Sequence, residues 1–91
     1  MYYTYILYSK KDKQLYIGST VNLKNRIAKH KKGFVKATKR RRPLLLIYCE
    51  IYLVGSDAKQ RELFLKGGKG HQELKVQLVN TFKKIQYKYR Y

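Results

Sequence analysis

The sequence predicts a small α+β fold in which a three-stranded antiparallel sheet is flanked by helices, in the order β-β-α-β-α-α. Two short apolar and aromatic segments near the N-terminus are joined by a polar link, and a third apolar segment follows in the middle of the chain. The segments after the second and third strands carry apolar residues four positions apart, which is helical spacing. Because 91 residues have room for one hydrophobic core, residues 1–91 are predicted to form a single domain.

The three strands are predicted from their composition. "YYTYILYS" at Tyr2–Ser9 is rich in aromatic and β-branched residues, and "LYIG" at Leu15–Gly18 is a shorter segment of the same kind. The polar residues "KKDKQ" between them predict an antiparallel hairpin. The third strand is predicted in "PLLLIYCEIYLV", which begins at Pro43, and its apolar start indicates the central strand of the sheet, covered on both faces.

Three helices are predicted from capping residues and spacing. The first follows Asn22, a favourable N-cap, has Leu23 and Ile27 on its apolar side, and ends at Gly33. The second is predicted to be capped by Ser56. Its inward side is predicted to carry Ala58, Glu62 and Leu65.

The last third of the chain is predicted to contain one more helix. "KGGKGH" predicts a helix stop and a turn, and it lacks the Gly-Lys-Ser/Thr ending of a phosphate-binding loop. The third helix is predicted from about residue 72 to 85, and residues 86–91 are predicted to form a basic, aromatic tail. The apolar stripe of this helix is predicted to consist of Leu74, Leu78 and Phe82.

The charge balance indicates a polyanionic partner. The chain has 22 Lys and Arg residues against 5 acidic residues, which gives a net charge of +17. Nucleic acid is favoured over an anionic membrane surface because the cations are spread through a folded pattern rather than along one amphipathic helix. The longest uncharged apolar run, Leu44–Cys49, is too short to cross a bilayer. The protein is therefore predicted to be soluble, cytoplasmic and associated with the nucleoid, without a membrane or small-molecule cofactor.

Two basic segments are predicted to contact phosphates. "KATKRRR" is interpreted as a phosphate-contacting loop rather than a solvated run of charge, and the lysines of "KGGKGH" as contacts to the nucleic-acid backbone. The predicted contacts are Lys36, Lys39, Arg40, Arg41, Arg42, Lys66 and Lys69.

Glu62 is unusual because it is one of few acids and lies on the inward side of a predicted helix. One interpretation is an ion pair with Arg61 or Lys66, which at a surface contributes about 0–1 kcal/mol. The other is a single carboxylate ligand for Mg²⁺, whose shell is completed by water and substrate phosphate. The sequence leaves both open. It offers no paired aspartates for a site with two metal ions.

Arg26 and His30 are four residues apart and so share a helix face. They form either part of a solvated basic face or a phosphate clamp, with His30 as a proton acceptor or as a hydrogen-bond partner of a tyrosine. The sequence has 10 tyrosines, most of which are expected to pack in strands. A phenol close to cations and a metal can ionise more easily, so one tyrosine is a candidate general base.

Four segments together resemble the GIY-YIG nuclease domain. They are "YTYIL" at Tyr3–Leu7, "LYIGST" at Leu15–Thr20, "NLKNRIAKH" at Asn22–His30 and "SDAKQRELFLK" around Glu62. The resemblance covers roughly residues 2–80. It implies a three-stranded antiparallel sheet between helices, and hydrolysis of phosphodiester bonds with Mg²⁺ or Mn²⁺.

The resemblance also implies roles for individual residues. Tyr16, assisted by His30 or by a metal-bound water, would deprotonate the attacking water, and Tyr5 would position water or phosphate. Arg26 and the metal ion would neutralise the scissile phosphate. The residues that match the family's site are Tyr5, Tyr16, Arg26 and His30 as catalytic groups, Glu62 as the metal ligand and Gly18 as a structural glycine.

The predicted function is a metal-dependent DNA endonuclease, directed by DNA structure or weakly specific for sequence because no recognition module is attached. Structured RNA is a second class of partner.

Tyr3 replaces the glycine of the first motif, and the chain has no clear match for an asparagine found downstream in the family. The alternative function is therefore a binding module with weak or absent catalysis. Glu62 distinguishes the two functions, because an inward carboxylate would repel the phosphates that a pure binder must attract. A tyrosine enzyme that forms a covalent adduct with DNA is disfavoured because further arginines are missing.

Overall fold

The computed structural model describes residues 1–89 and consists of three strands and four α-helices. The prediction of an α+β fold with three antiparallel strands is confirmed, with one more helix than expected. The elements are β1 (Tyr2–Ser9), β2 (Leu15–Thr20), α1 (Leu23–Lys32), a 3₁₀ turn (Lys39–Arg41), β3 (Leu44–Tyr52), α2 (Gly55–Lys66), α3 (Gly68–Gln77) and α4 (Val79–Ile85).

The sheet has the order β2-β1-β3, with both pairs antiparallel. The prediction that the third strand is central is wrong. β1 is the central strand, and its residues from Thr4 to Ser9 are all buried. β3 lies at the edge, where Leu45 and Ile51 remain exposed. The apolar start of β3 therefore reflects contacts with α1, such as that of Leu46, rather than cover on both faces.

The sheet lies between two helical layers. On one face, Ile6 and Ile17 pack against α2, α3 and α4. On the other face, Tyr5 and Leu7 pack against α1. Because side chains alternate along a strand, neighbouring residues of β1 belong to different layers. The predicted apolar stripe is confirmed as buried and consists of Leu74, Leu78 and Phe82.

The predicted ends of α1, an N-cap at Asn22 and a stop at Gly33, are confirmed. The Asn22 side chain accepts a hydrogen bond of 3.0 Å from the backbone N–H of Asn25, which makes Asn22 the N-cap. Gly33 ends the helix with a φ of 81°, a left-handed conformation that glycine adopts readily.

The boundaries of the later helices differ from the prediction. α2 begins at Gly55 with Val54 as its N-cap, so the predicted cap at Ser56 is wrong. The helix stop predicted in "KGGKGH" is confirmed, because α2 ends at Lys66. The predicted turn is wrong, because only Gly67 separates α2 from α3 and residues 68–71 form the first turn of α3. The helix predicted from residue 72 to 85 is interrupted at Leu78, which gives α3 and α4.

The C-terminal tail is partly packed. Tyr87 is buried, and its ring lies 4.8 Å from that of Phe82 and 6.4 Å from that of Tyr8, measured between centroids. Arg90 and Tyr91, the end of the predicted tail, lie outside the described residues. Within residues 1–89, no helix has the length and apolar character needed to span a membrane.

Candidate active site

The two motif tyrosines meet on the α1 face of the sheet because of the register between β1 and β2. Tyr5 lies opposite Gly18, and Leu7 lies opposite Tyr16. A Cβ atom at Gly18 would lie 2.6 Å from the Tyr5 hydroxyl oxygen. Glycine is therefore required here so that the Tyr5 ring can lie across β2, where its centroid is 6.4 Å from that of Tyr16.

His30 joins the tyrosines from the last turn of α1. Its side chain is fully buried, and its Nε2 atom lies 2.8 Å from the Tyr5 hydroxyl oxygen. Its Nδ1 atom lies 2.7 Å from Thr38 Oγ1. Tyr16 meets the imidazole edge-on, with 5.2 Å between ring centroids. Of the two tyrosines, Tyr5 is therefore the hydrogen-bond partner of His30. Thr38 was missed by the sequence analysis.

Arg26 lies one turn before His30 and faces the same tyrosines. Its Nε–H donates a long hydrogen bond of 3.5 Å to the Tyr5 hydroxyl oxygen. Hydrogen bonding to Tyr5 raises the pKa of Arg26, and proximity to Tyr16 acts in the same direction. The guanidinium is half-buried and charged, and it is held against two phenols.

His30 and Tyr5 are neutral at physiological pH. Burial, followed by the positive charge of Arg26, lowers the pKa of His30 to about 4. Burial also raises the pKa of Tyr5 above its ordinary value, although its hydrogen bond with Arg26 opposes this shift. At pH 7 the site therefore combines a neutral imidazole, a protonated phenol and one permanent cation.

The low pKa of His30 predicts a specific loss of stability in acid. In the unfolded chain an imidazole has a pKa of about 6.5, so between pH 6.5 and 4 the unfolded state takes up a proton that the folded state does not. We expect the free energy of unfolding to fall by about 3 kcal/mol from this group as the pH drops from 7 to 4.

Urea unfolding of the wild type and of His30→Gln across this pH range measures the effect. We expect the variant to be less stable than the wild type at pH 7, because it loses hydrogen bonds, and its stability to depend less on pH. All other titrating groups are common to both proteins and cancel in the comparison. Parallel pH profiles would contradict a neutral, buried His30.

Glu62 lies on α2 and is buried against the edge strand β2, which confirms its predicted inward position. Its side chain is 6% exposed, and its Oε1 atom accepts a hydrogen bond of 2.6 Å from the Ser19 hydroxyl. Lys59 and Lys66 approach the carboxylate at 3.3 and 2.6 Å. Burial alone would raise the pKa of Glu62, but the hydrogen bonds from Lys66 and Ser19 outweigh it, so the pKa is lowered and the group is a carboxylate at pH 7.

An open groove lies at the β2 edge of the sheet. Ser19, which binds Glu62, lines this groove together with Asn22, Asn25, Arg26 and Lys29. β2 is an edge strand, so Glu62 in the α2 layer reaches the same edge as Arg26 in the α1 layer. A guanidinium in the groove and a carboxylate bound to a residue of its lining can together hold a phosphate and a divalent cation.

Comparison with known proteins identifies the family of the chain. The family model of the GIY-YIG catalytic domain matches residues 1–75. The chain belongs to the GIY-YIG family. Membership implies a nuclease-type function and a nucleic-acid substrate.

Several bacterial relatives of this GIY-YIG protein are small proteins named UPF0213. The chain is 42% identical to one from Staphylococcus haemolyticus over 76 residues, which are 82% of this chain and 92% of the relative. It is 39% identical to one from Clostridium perfringens over 82 residues, which are 89% of this chain and 85% of the relative. No solved structure matches the chain significantly.

The predicted phosphate contacts of this GIY-YIG protein lie in different environments. Arg41 forms an ion pair with Asp12, with 2.6 Å between Nε and Oδ2, so this guanidinium is already engaged within the fold. Arg42 donates to the carbonyl of Lys39 at 2.9 Å. Lys66 is bound to the Glu62 carboxylate. The exposed predicted contacts are Lys36, Lys39, Arg40, Arg42, Lys66 and Lys69.

Proposed function

We propose that the protein is a metal-dependent endonuclease that hydrolyses phosphodiester bonds in DNA and is directed by DNA structure or weakly by sequence. The observation that carries this proposal is the groove at the β2 edge, which Arg26 and Ser19 line and where the Ser19 hydroxyl donates to the Glu62 carboxylate. A net charge of +17 supports a polyanionic substrate. Action in the cytoplasm, close to the nucleoid, is part of the same proposal.

Glu62 fits a site for Mg²⁺ or Mn²⁺ with a single protein carboxylate. It is ionised and buried, and Lys59 and Lys66, which compensate its charge here, are the groups that a metal ion would replace. No group of three or more His, Cys, Asp or Glu residues suited to metal binding occurs among residues 1–89. Hard divalent cations accept such sites because water and substrate phosphate complete their coordination. When bound, the ion would neutralise the scissile phosphate and stabilise the leaving oxygen.

The remaining roles follow from exposure and hydrogen bonding. Arg26 would bind a phosphate oxygen and stabilise the charge that develops during hydrolysis. Tyr16 is half-buried and so can contact the attacking water, which suits the general base. Tyr5 is 1% exposed, and its hydrogen bonds with His30 and Arg26 fix its orientation, which suits a positioning role.

A nucleic-acid-binding module with weak or absent catalysis is the second candidate function. The observation that favours it is the pairing of Glu62 with Lys59 and Lys66, because ammonium groups already compensate the carboxylate that would bind a metal ion. Binding of a metal ion requires these lysines to withdraw.

Cleavage and binding measured on the same samples distinguish the two functions. Supercoiled plasmid, branched DNA, single-stranded DNA and a structured RNA would each be incubated with Mg²⁺, Mn²⁺ or EDTA. We expect nicking of DNA that requires the metal ion and stops in EDTA, while binding weakens steeply with salt. Tight, salt-sensitive binding with no cleavage of any substrate would contradict the nuclease and support the binding module.

A further inference from the structure

We propose that Thr38 is a positioning residue that sets the tautomer of His30. In this arrangement His30 Nδ1–H donates to Thr38 Oγ1, so that Nε2 is unprotonated and accepts the Tyr5 hydroxyl proton. The assignment of the tautomer rests on geometry alone. Its consequence for cleavage rests on the proposed function.

The contact between His30 and Thr38 is short and shielded from water. Both side chains are fully buried, and 2.7 Å separates Nδ1 from Oγ1. The other ring nitrogen lies 2.8 Å from the Tyr5 hydroxyl oxygen. A neutral imidazole has one N–H donor and one acceptor nitrogen, so the direction of one of these bonds determines that of the other.

The direction follows from the chemistry of the two hydroxyl groups. Among the described contacts, the Tyr5 hydroxyl has hydrogen bonds to His30 and Arg26, and Arg26 can only donate. With Nε2 as the acceptor, Tyr5 donates one bond and accepts one. With the opposite tautomer, the Tyr5 oxygen would accept two bonds and its proton would be directed to neither His30 nor Arg26, whereas the proposed tautomer leaves only the less acidic Thr38 proton without a bond to His30. A phenol is also a stronger acid than an aliphatic hydroxyl, so Tyr5 is the better donor and Thr38 the better acceptor.

The backbone holds Thr38 in place. Its N–H donates to the Val35 carbonyl at 3.1 Å, and its own carbonyl accepts from Arg41 N–H at 2.8 Å. The Arg41 carbonyl in turn accepts a bond of 2.6 Å from the Ser9 hydroxyl at the end of β1. The segment around Thr38 is therefore tied to the central strand, and its hydroxyl reaches His30 at a fixed position.

The tautomer decides whether the buried Tyr5 hydroxyl donates to His30 or accepts from it. When its proton is directed to His30, its oxygen is left to accept the hydrogen bond from Arg26. With the opposite tautomer, His30 and Arg26 would both donate to the same oxygen. Thr38 thus controls the hydrogen-bonding polarity of Tyr5 without touching the substrate.

Nitrogen NMR of the full chain, labelled with ¹⁵N in histidine, tests the proposal directly. The chain has only 2 histidines, and His30→Gln assigns the signals. We expect the wild type and Thr38→Ser to carry the proton on Nδ1 of His30. We expect Thr38→Val, which keeps the shape and removes the acceptor, to move the proton to Nε2. A proton on Nε2 in the wild type would overturn the proposal, and so would an unchanged tautomer in a folded Thr38→Val.

Cleavage is the second measurement. We expect Thr38→Val to lower kcat roughly tenfold with little change in DNA affinity, and Thr38→Ser to restore it, as for other residues that orient a catalytic group. Full activity in Thr38→Val with a switched tautomer would overturn the catalytic consequence. If the wild type cleaves no substrate, the proposed nuclease fails, whereas the wild-type tautomer still decides the role of Thr38. The wild-type spectrum decides this point, and it requires only that the variant used for assignment is folded.

Discussion

Glu62→Gln is expected to abolish metal-dependent cleavage while DNA binding survives. The amide keeps the size of the side chain and can still accept the hydrogen bond from Ser19, but it loses the charge that a divalent cation requires. We expect the nicking rate in Mg²⁺ to fall by roughly 10²–10³-fold, which is the range for loss of a main source of electrostatic stabilisation. Binding to the same DNA in EDTA should be unchanged or tighter, because one negative charge at the groove is removed.

Glu73→Gln is the matched control. It also exchanges one carboxylate for an amide, but Glu73 lies in α3, is 45% exposed at its side chain and pairs with Arg61 rather than with the groove. We expect its cleavage rate to stay within about twofold of the wild type, since an exposed ion pair contributes little. Wild-type cleavage by Glu62→Gln, or equal losses in both variants, would contradict Glu62 as the metal ligand.

Gly70→Ala is expected to have the largest effect on stability among simple substitutions in the helices. A Cβ atom at this position would lie 2.2 Å from the Phe64 carbonyl oxygen and 2.5 Å from Leu65 Cα, both of them backbone atoms of α2. Relief requires α2 and α3 to move apart. Alanine favours a helix by about 1 kcal/mol over glycine, but we expect the clash to outweigh this and to reduce the free energy of unfolding by roughly 2–3 kcal/mol.

Gly67→Ala is the matched comparison for Gly70→Ala, because Gly67 lies between α2 and α3. Its Cβ atom would meet the Phe64 carbonyl oxygen at 3.5 Å, an ordinary contact, and its backbone has a φ of −91°, which alanine adopts easily. We expect unchanged stability or a gain of up to about 1 kcal/mol, because alanine restricts the unfolded chain. Urea unfolding of both variants measures the difference. A Gly70→Ala protein as stable as Gly67→Ala would contradict the close packing of the two helices.

The parts of the fold that were predicted correctly depend on local signals. The composition of β1 and β2, the cap at Asn22 and the end at Gly33 are all set within a few residues. The position of β3 at the edge was not predictable in this way, since strand order depends on contacts between distant segments. The glycines of "KGGKGH" favour a turn by local preference. In the fold, α3 begins at Gly68, and Gly70 packs closely against the Phe64 backbone of α2.

The candidate site was predictable to the extent that its residues share an element or a motif. Arg26 and His30 share a helix face, and the position of Glu62 on the inward side of α2 followed from spacing. The hydrogen bond from Ser19 to Glu62 joins residues 43 positions apart, and that from His30 to Thr38 depends on the path of a loop. No periodicity indicates such contacts, so Ser19 and Thr38 emerged from the structure alone.

The small number of acidic residues in the chain affects the stability of the folded state in solution. Asp12, Glu50, Glu62 and Glu73 each pair with a lysine or arginine of the same chain. These pairs leave the net charge at +17, and because the folded state holds this charge in a smaller volume, it repels itself more than the expanded chain does. A bound polyanion relieves this repulsion and favours the folded form by mass action. Nucleic acid would thus act on this protein as a folding ligand, and the native structure would be most stable when the groove is engaged.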